Sequence, residues 1–178
     1  LHVIQYARGD SGPAQQLWMS RAAGLIILTT GDEQDLYDLR SGEKTTVHPD
    51  AGTRGSSPLD QNEYVLLERR IEQCLGVSLA GLPLDAELQR AGPESLQELE
   101  SATEVYEVAW MRQAYGVGPG QHQKLRMVLE PATRRLLKTE LFSRASPEAS
   151  WRFDTLWTFS YPAEREIVDT VTRLRAAR

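Results

Sequence analysis

The chain has 178 residues, a formal net charge of −5 and 40% apolar side chains. That is enough for one domain with a real core, and the acidic balance argues against nucleic acid, whose phosphates require a basic surface. The single cysteine, Cys74, excludes an internal disulfide and a cysteine-based zinc site, and no apolar run is long enough to span a bilayer.

In chain order, His2 to Ala7 reads as a strand, and Arg8 to Pro13 as a turn by composition. Gln16 to Ser20, Gly24 to Thr30, Asp35 to Leu39 and Glu43 to Val47 follow as short strands separated by glycine-bearing turns, the signature of an antiparallel meander. Pro49 to Pro58, rich in Gly, Ser and Asp, reads as a linker or mobile loop. Tyr64, Leu67, Ile71 and Cys74 recur at helical spacing, which predicts a helix over Leu59 to Leu75. Asp60 or Ser57 suits its start, and Gly76 suits its end. Val77 to Gly92 reads as a short helix or irregular cover, and Pro93 to Glu100 as one more helical turn.

The second half returns to strands over Thr103 to Arg112, Gln123 to Glu130 and Leu136 to Arg144. Tyr115 to Gln121 is a glycine-rich connection, and Glu130 to Thr133 is a tight turn with proline preset at its second position. Trp151, Phe153, Trp157, Phe159 and Tyr161 then alternate with polar residues. This period of two, with Thr155 filling the gap and Leu156 as the exception on the polar side, puts these aromatics on one face of a long strand that Pro162 ends. Glu164 to Arg178 reads as a closing helix with the stripe Ile167, Val168, Val171, Leu174; Arg173, Arg175 and Arg178 form its cationic end. The pattern predicts an α+β protein: a strongly curved antiparallel sheet, an unclosed half-barrel, with helices covering its concave face. It is expected to be a single domain, 1–178, made of a strand meander (1–48), a helical insert (59–100), a second strand set (103–161) and a C-terminal helix (163–178). No signal peptide is visible, and the start at Leu1, directly in a strand-like segment, is expected of a trimmed or processed chain.

No pattern carries catalysis. His2, His48 and His122 lack metal-ligand spacing. Ser41 and Lys44 have the spacing of a serine–lysine nucleophile, but in a hairpin turn their side chains diverge. The glycines at 116, 118 and 120 lack the Lys-Ser/Thr ending of a phosphate loop. The expectation is therefore a non-enzyme without metal or cofactor, with an enzyme using His48 or His122 and nearby acids as a further alternative. What stands out instead is aromatic surface, which offers rigid apolar contact and an indole N–H able to orient a polar head. The expected ligand-binding set is Trp18 with Leu67 and Ile71 from the helix, Tyr106 and Trp110 from the first returning strand, and Trp151, Phe153, Trp157 and Phe159 from the aromatic strand.

The run Leu125 to Glu140, with an acidic residue and proline closing one strand and leucine opening the next, resembles a recurrent hairpin of the bacterial lipoprotein-carrier fold. Tyr106-Glu107-Val108, Trp157 to Pro162, Leu17-Trp18-Met19 and Leu36 to Leu39 followed by Thr46 to Pro49 are similar to neighbouring strands of that fold. Arg134 stands where glycine is usual. The resemblance implies a half-barrel plugged by helices and a periplasmic or cell-envelope location. It also implies a non-enzymatic module that holds a lipid, an acyl chain or a lipoprotein between sheet and helices. The same family includes sensor ectodomains of envelope-stress anti-sigma systems, which implies a regulatory protein partner as the alternative.

Overall fold

In a computed structural model the described residues are 1–75, 89–91, 103–112 and 120–176. They form eleven strands, antiparallel in every described pair, and two helices. The chain is thus α+β and dominated by open antiparallel sheet. Its contacts gather into two compact units, Leu1–Tyr6 with Asp10–Val77 and Phe159–Arg178, and Ala7–Gly9 with Ser78–Thr158.

In the first unit, β1 (His2–Ala7), β2 (Gln15–Ser20), β3 (Leu25–Thr30), β4 (Glu33–Asp38), β5 (Glu43–His48) and β6 (Thr53–Pro58) lie side by side in chain order. The first five are those the alternation predicts. The sixth corrects the reading of 49–58 as a loop. Only 49–52 turn, with Gly52 in the left-handed region (φ 61°) that side chains avoid, and Thr53 then pairs with His48. The strand is exposed throughout. An outer edge strand has no face to bury, so it carries none of the apolar alternation by which strands are recognised.

Two helices complete this unit. The first, α1 (Gln61–Leu75), starts where Asp60 caps it: the Asp60 carboxylate accepts the Glu63 N–H at 2.9 Å. The second, α2 (Glu164–Ala176), begins just after Pro162, with Glu164 and Glu166 in its first turn and Arg173 and Arg175 in its last, each suited to the helix dipole. Register places Trp18, Ile27 and Leu36 opposite one another on one face of the sheet. That face packs against Val171 and Leu174 of α2, and Asp38 pairs there with Arg175 at 2.8 Å. The other face presents Gln15, Asp35, Tyr37 and Lys44, and these meet α1 through Cys74, Arg70 and Glu63. The two helices therefore lie on opposite faces of this sheet, where the sequence reading expects helices together on one concave side. A helix on each side explains why Leu25, Ile26, Ile27 and Leu28 are all buried, as in a central strand covered twice.

In the second unit the order is β11 (Arg152–Ser160, its last two residues belonging to the first unit), β10 (Arg135–Arg144), β9 (Gln121–Glu130), β8 (Glu104–Arg112) and β7 (Gln89–Ala91). The strand β7 falls where a helical cover is expected. Residues 77–88 and 92–100 of that insert, the Gly76 cap and residues 115–119 of the glycine-rich connection lie outside the described residues. Two bulges set the phase of the sheet. Leu136 faces Leu129 but Lys138 faces Val128, so Leu137 is extra on β10; Leu141 faces Thr155 but Phe142 faces Phe153, so Asp154 is extra on β11. The second bulge corrects the strict alternation of the aromatic strand. Phe153 shares a face with Phe142, their rings 6.0 Å apart edge-on, whereas Trp157 shares the opposite face with Thr139.

Candidate functional site

The structure divides the aromatic and aliphatic residues that the sequence singles out. In the first unit, Trp18 packs in the α2-side core and stacks on the His2 ring at 3.6 Å, and Phe159 is buried. Leu67 is buried and Ile71 half-buried on α1, which serves the other face. The second unit holds Tyr106, Trp110 and Trp157 on one face, and Phe153 on the other.

The contact between α1 and its sheet is charged at its heart. Asp35 lies mid-strand with its side chain fully inaccessible, and it accepts hydrogen bonds from Arg70 and from the Thr46 hydroxyl, with Lys44 at 3.6 Å. Arg70 also reaches the Tyr37 hydroxyl at 2.9 Å, and Lys44 reaches Glu63 at 3.4 Å. Burial by itself raises the Asp35 pKa. The hydrogen bonds from Thr46 and Arg70 and the nearby charges outweigh it and hold the carboxyl below its ordinary value. Burial and the Asp35 charge push Tyr37 up, and burial pushes the Cys74 thiol up to about 11, leaving it inert. Each buried charge here has partners, so the cluster is a docking clamp for α1. Sequence reading missed it, although an acid at the centre of a strand, flanked two residues on by tyrosine, is the signal that a buried partner is required.

The second unit carries a different surface. Cross-strand register builds three rows on one face. Arg90, Tyr106, Met127, Thr139 and Trp157 form the first; Val108, Leu125, Leu141 and Thr155 the second; Trp110, Gln123, Ser143 and Arg152 the third. Trp157 is 5% exposed and Thr139 3%, and Gln123 and Ser143 are buried too. The Trp157 and Trp110 indole N–H groups and the Thr139 hydroxyl are nevertheless buried without a hydrogen-bond partner. Each such group costs about 1–3 kcal/mol and calls for an explanation. The Tyr106 hydroxyl, by contrast, is engaged with Glu104 at the rim, where Arg134 also pairs with Glu104 at 2.7 Å. Thr139 was not legible as a facing residue, because the Leu137 bulge decides which side of β10 it occupies.

The opposite face of the same sheet is a ladder of alternating charge. Lys138 pairs with Glu140 at 2.7 Å, Glu140 with Arg126 at 3.7 Å, Arg126 with Glu107 at 3.7 Å and Glu107 with Lys124 at 3.5 Å. Trp151 stacks under the cations of Arg144 (4.2 Å) and Lys124 (5.4 Å), and Lys124 also covers Phe142. Trp151 is thereby engaged on this charged side.

Ser41 and Lys44 face different partners: the Ser41 hydroxyl reaches the Asp38 carbonyl, and Lys44 reaches Asp35 and Glu63. Among the described residues no three His, Cys, Asp or Glu side chains are placed to hold a metal ion, and no helix is long and apolar enough to cross a membrane. The chain matches no protein-family model and no curated protein.

Proposed function

We propose that this protein is a non-enzymatic extracytoplasmic module that binds an apolar ligand, a lipid or the acyl chain of a lipoprotein, over the three-row face of its second unit. The observation that carries the reading is a set of buried, unpartnered hydrogen-bonding groups, two of them indole N–H donors, on the face that also presents Val108, Leu125, Met127 and Leu141. Burial of ligand hydrocarbon there contributes about 25 cal/mol per Å² before ordering costs. The α1 contact is less suited to hydrocarbon, since Arg70, Asp35 and Lys44 occupy it. The extracytoplasmic location and a curved sheet rest on the resemblance to lipoprotein carriers and are part of the proposal. Stripped of bound lipid by organic extraction and refolded, the protein should enhance the fluorescence of N-phenyl-1-naphthylamine saturably, with displacement by acyl lipids. Absence of any enhancement would refute the reading.

A sensor or regulatory ectodomain with a protein partner is a second reading. One observation favours it: Tyr64, Val65 and Leu66 are consecutive on α1 and all exposed. Photocrosslinking from position 66 in cells tests it, and a failure to capture any protein removes it.

A further inference from the structure

The unpartnered groups also restrict which apolar ligand fits, an inference that rests on the function proposed above. We infer that Trp157 and Thr139 form a hydrogen-bonding subsite that selects ligands bearing an uncharged oxygen acceptor, such as the carbonyl of an acyl ester.

Thr139 and Trp157 are directly opposite in the β10–β11 register, on the same face. In an antiparallel pair, side chains so placed are neighbours, about 4.5–5.5 Å apart at Cβ. Both are more than nine-tenths buried, and both carry a polar atom that no protein group satisfies. An indole N–H can only donate, and a threonine hydroxyl can donate. Two adjacent donors define the complement: a group that accepts and need not donate. Hydrocarbon alone would leave both donors unmet.

The acceptor is uncharged because the cations on this face stand at its ends, already paired with carboxylates, and not beside Trp157 and Thr139. The rows carry two cations, each at an outer end and exposed: Arg90, opposite Tyr106, is paired with Glu104 at 3.5 Å, and Arg152, opposite Ser143, is paired with Asp154 at 3.5 Å. Other cations of this sheet sit in the ladder on the other face, paired with Glu107 and Glu140, or at the rim, where Arg134 is held by Glu104. A carboxylate brought among Met127, Leu125 and Leu141 would be desolvated without a counter-charge, so a free fatty acid is a poorer occupant than its ester.

The test is competition against bound N-phenyl-1-naphthylamine at pH 8, using methyl decanoate, decanoate and undecane. Methyl decanoate should displace the dye about tenfold more effectively than either of the others, as expected for one net hydrogen bond of ordinary strength. Thr139→Val and Trp157→Phe, which remove a donor and keep the shape, should each weaken the ester about fivefold or more and leave undecane unchanged. Thr139→Val should at the same time raise the thermal midpoint of the ligand-free protein, because it deletes a buried hydroxyl that had no partner. A merely structural threonine would give the opposite sign. If ester and alkane compete equally in the wild type, the subsite is refuted while the apolar reading stands. If none of the three displaces the dye, or the dye does not bind, both fall.

Discussion

At the scale of single residues, Asp35 and Arg134 make the firmest claims. Asp35 has no water to fall back on, so removing its closest cation leaves a buried charge with Lys44 and Thr46 alone. Arg70→Met should cost about 2–3 kcal/mol in urea denaturation, less than the 3–5 of a fully buried pair because Arg70 keeps some contact with solvent. The pH dependence follows from the lowered Asp35 pKa. A carboxyl whose folded pKa lies below its unfolded value contributes stability above the unfolded value, about 3.9, and loses it as pH falls through the folded one. Asp35→Asn should therefore be less stable than wild type at pH 7, and the gap should narrow toward pH 3. A gap that widens in acid contradicts the assignment. Arg134 adopts φ 57°, a conformation that glycine accepts freely, and it donates its N–H to the Glu130 carbonyl at 2.8 Å. Arg134→Gly relieves a left-handed strain of about 1–2 kcal/mol and loses an exposed ion pair worth up to about 1 kcal/mol. A small net gain in thermal midpoint is expected. That position was legible beforehand, because Arg134 stands in a turn where glycine is the usual residue.

At the scale of elements, alternation, apolar runs and helical spacing found nearly every described strand and both helices, because each buries at least one side. They failed where that condition fails. The edge strand β6 buries neither side, so Gly55, Ser56 and Ser57 read as loop. On β11 the alternation was real but its phase broke at Asp154. A bulge costs one residue and leaves no compositional mark, so Phe153 and Trp157 looked like neighbours on one face. The Asp154 carbonyl accepts the Arg8 N–H at 3.0 Å, which anchors the bulged residue in place. Nuclear Overhauser contacts between the Phe142 and Phe153 rings should be strong, and none should link Phe153 with Trp157. Deleting Asp154 would rotate Phe153 and Arg152 to the other side, and the Phe142 contact should vanish together with much of the stability.

At the scale of the whole molecule, α1 and α2 hold the first unit by opposite means: α1 through a buried charge clamp, α2 through an apolar stripe against Trp18, Ile27 and Leu36. The first unit buries unpartnered polar atoms too, at His2, Gln5 and Gln34, but among the described residues the unpartnered indole N–H donors are those of Trp110 and Trp157 in the second. Composition could say that aromatic surface must be covered. It could not say that donors on that surface go without partners, since this depends on register and on two bulges. The central claim is that an acceptor-bearing apolar ligand meets those donors. Four tryptophans give four indole N–H resonances, assignable by single Trp→Phe variants, so the claim can be read atom by atom in a proton–nitrogen spectrum. On titration with methyl decanoate the Trp157 signal should move downfield and saturate, while the signals of Trp18 and Trp151 stay in place. A stationary Trp157 resonance, or movement confined to Trp18 or Trp151, would contradict the account.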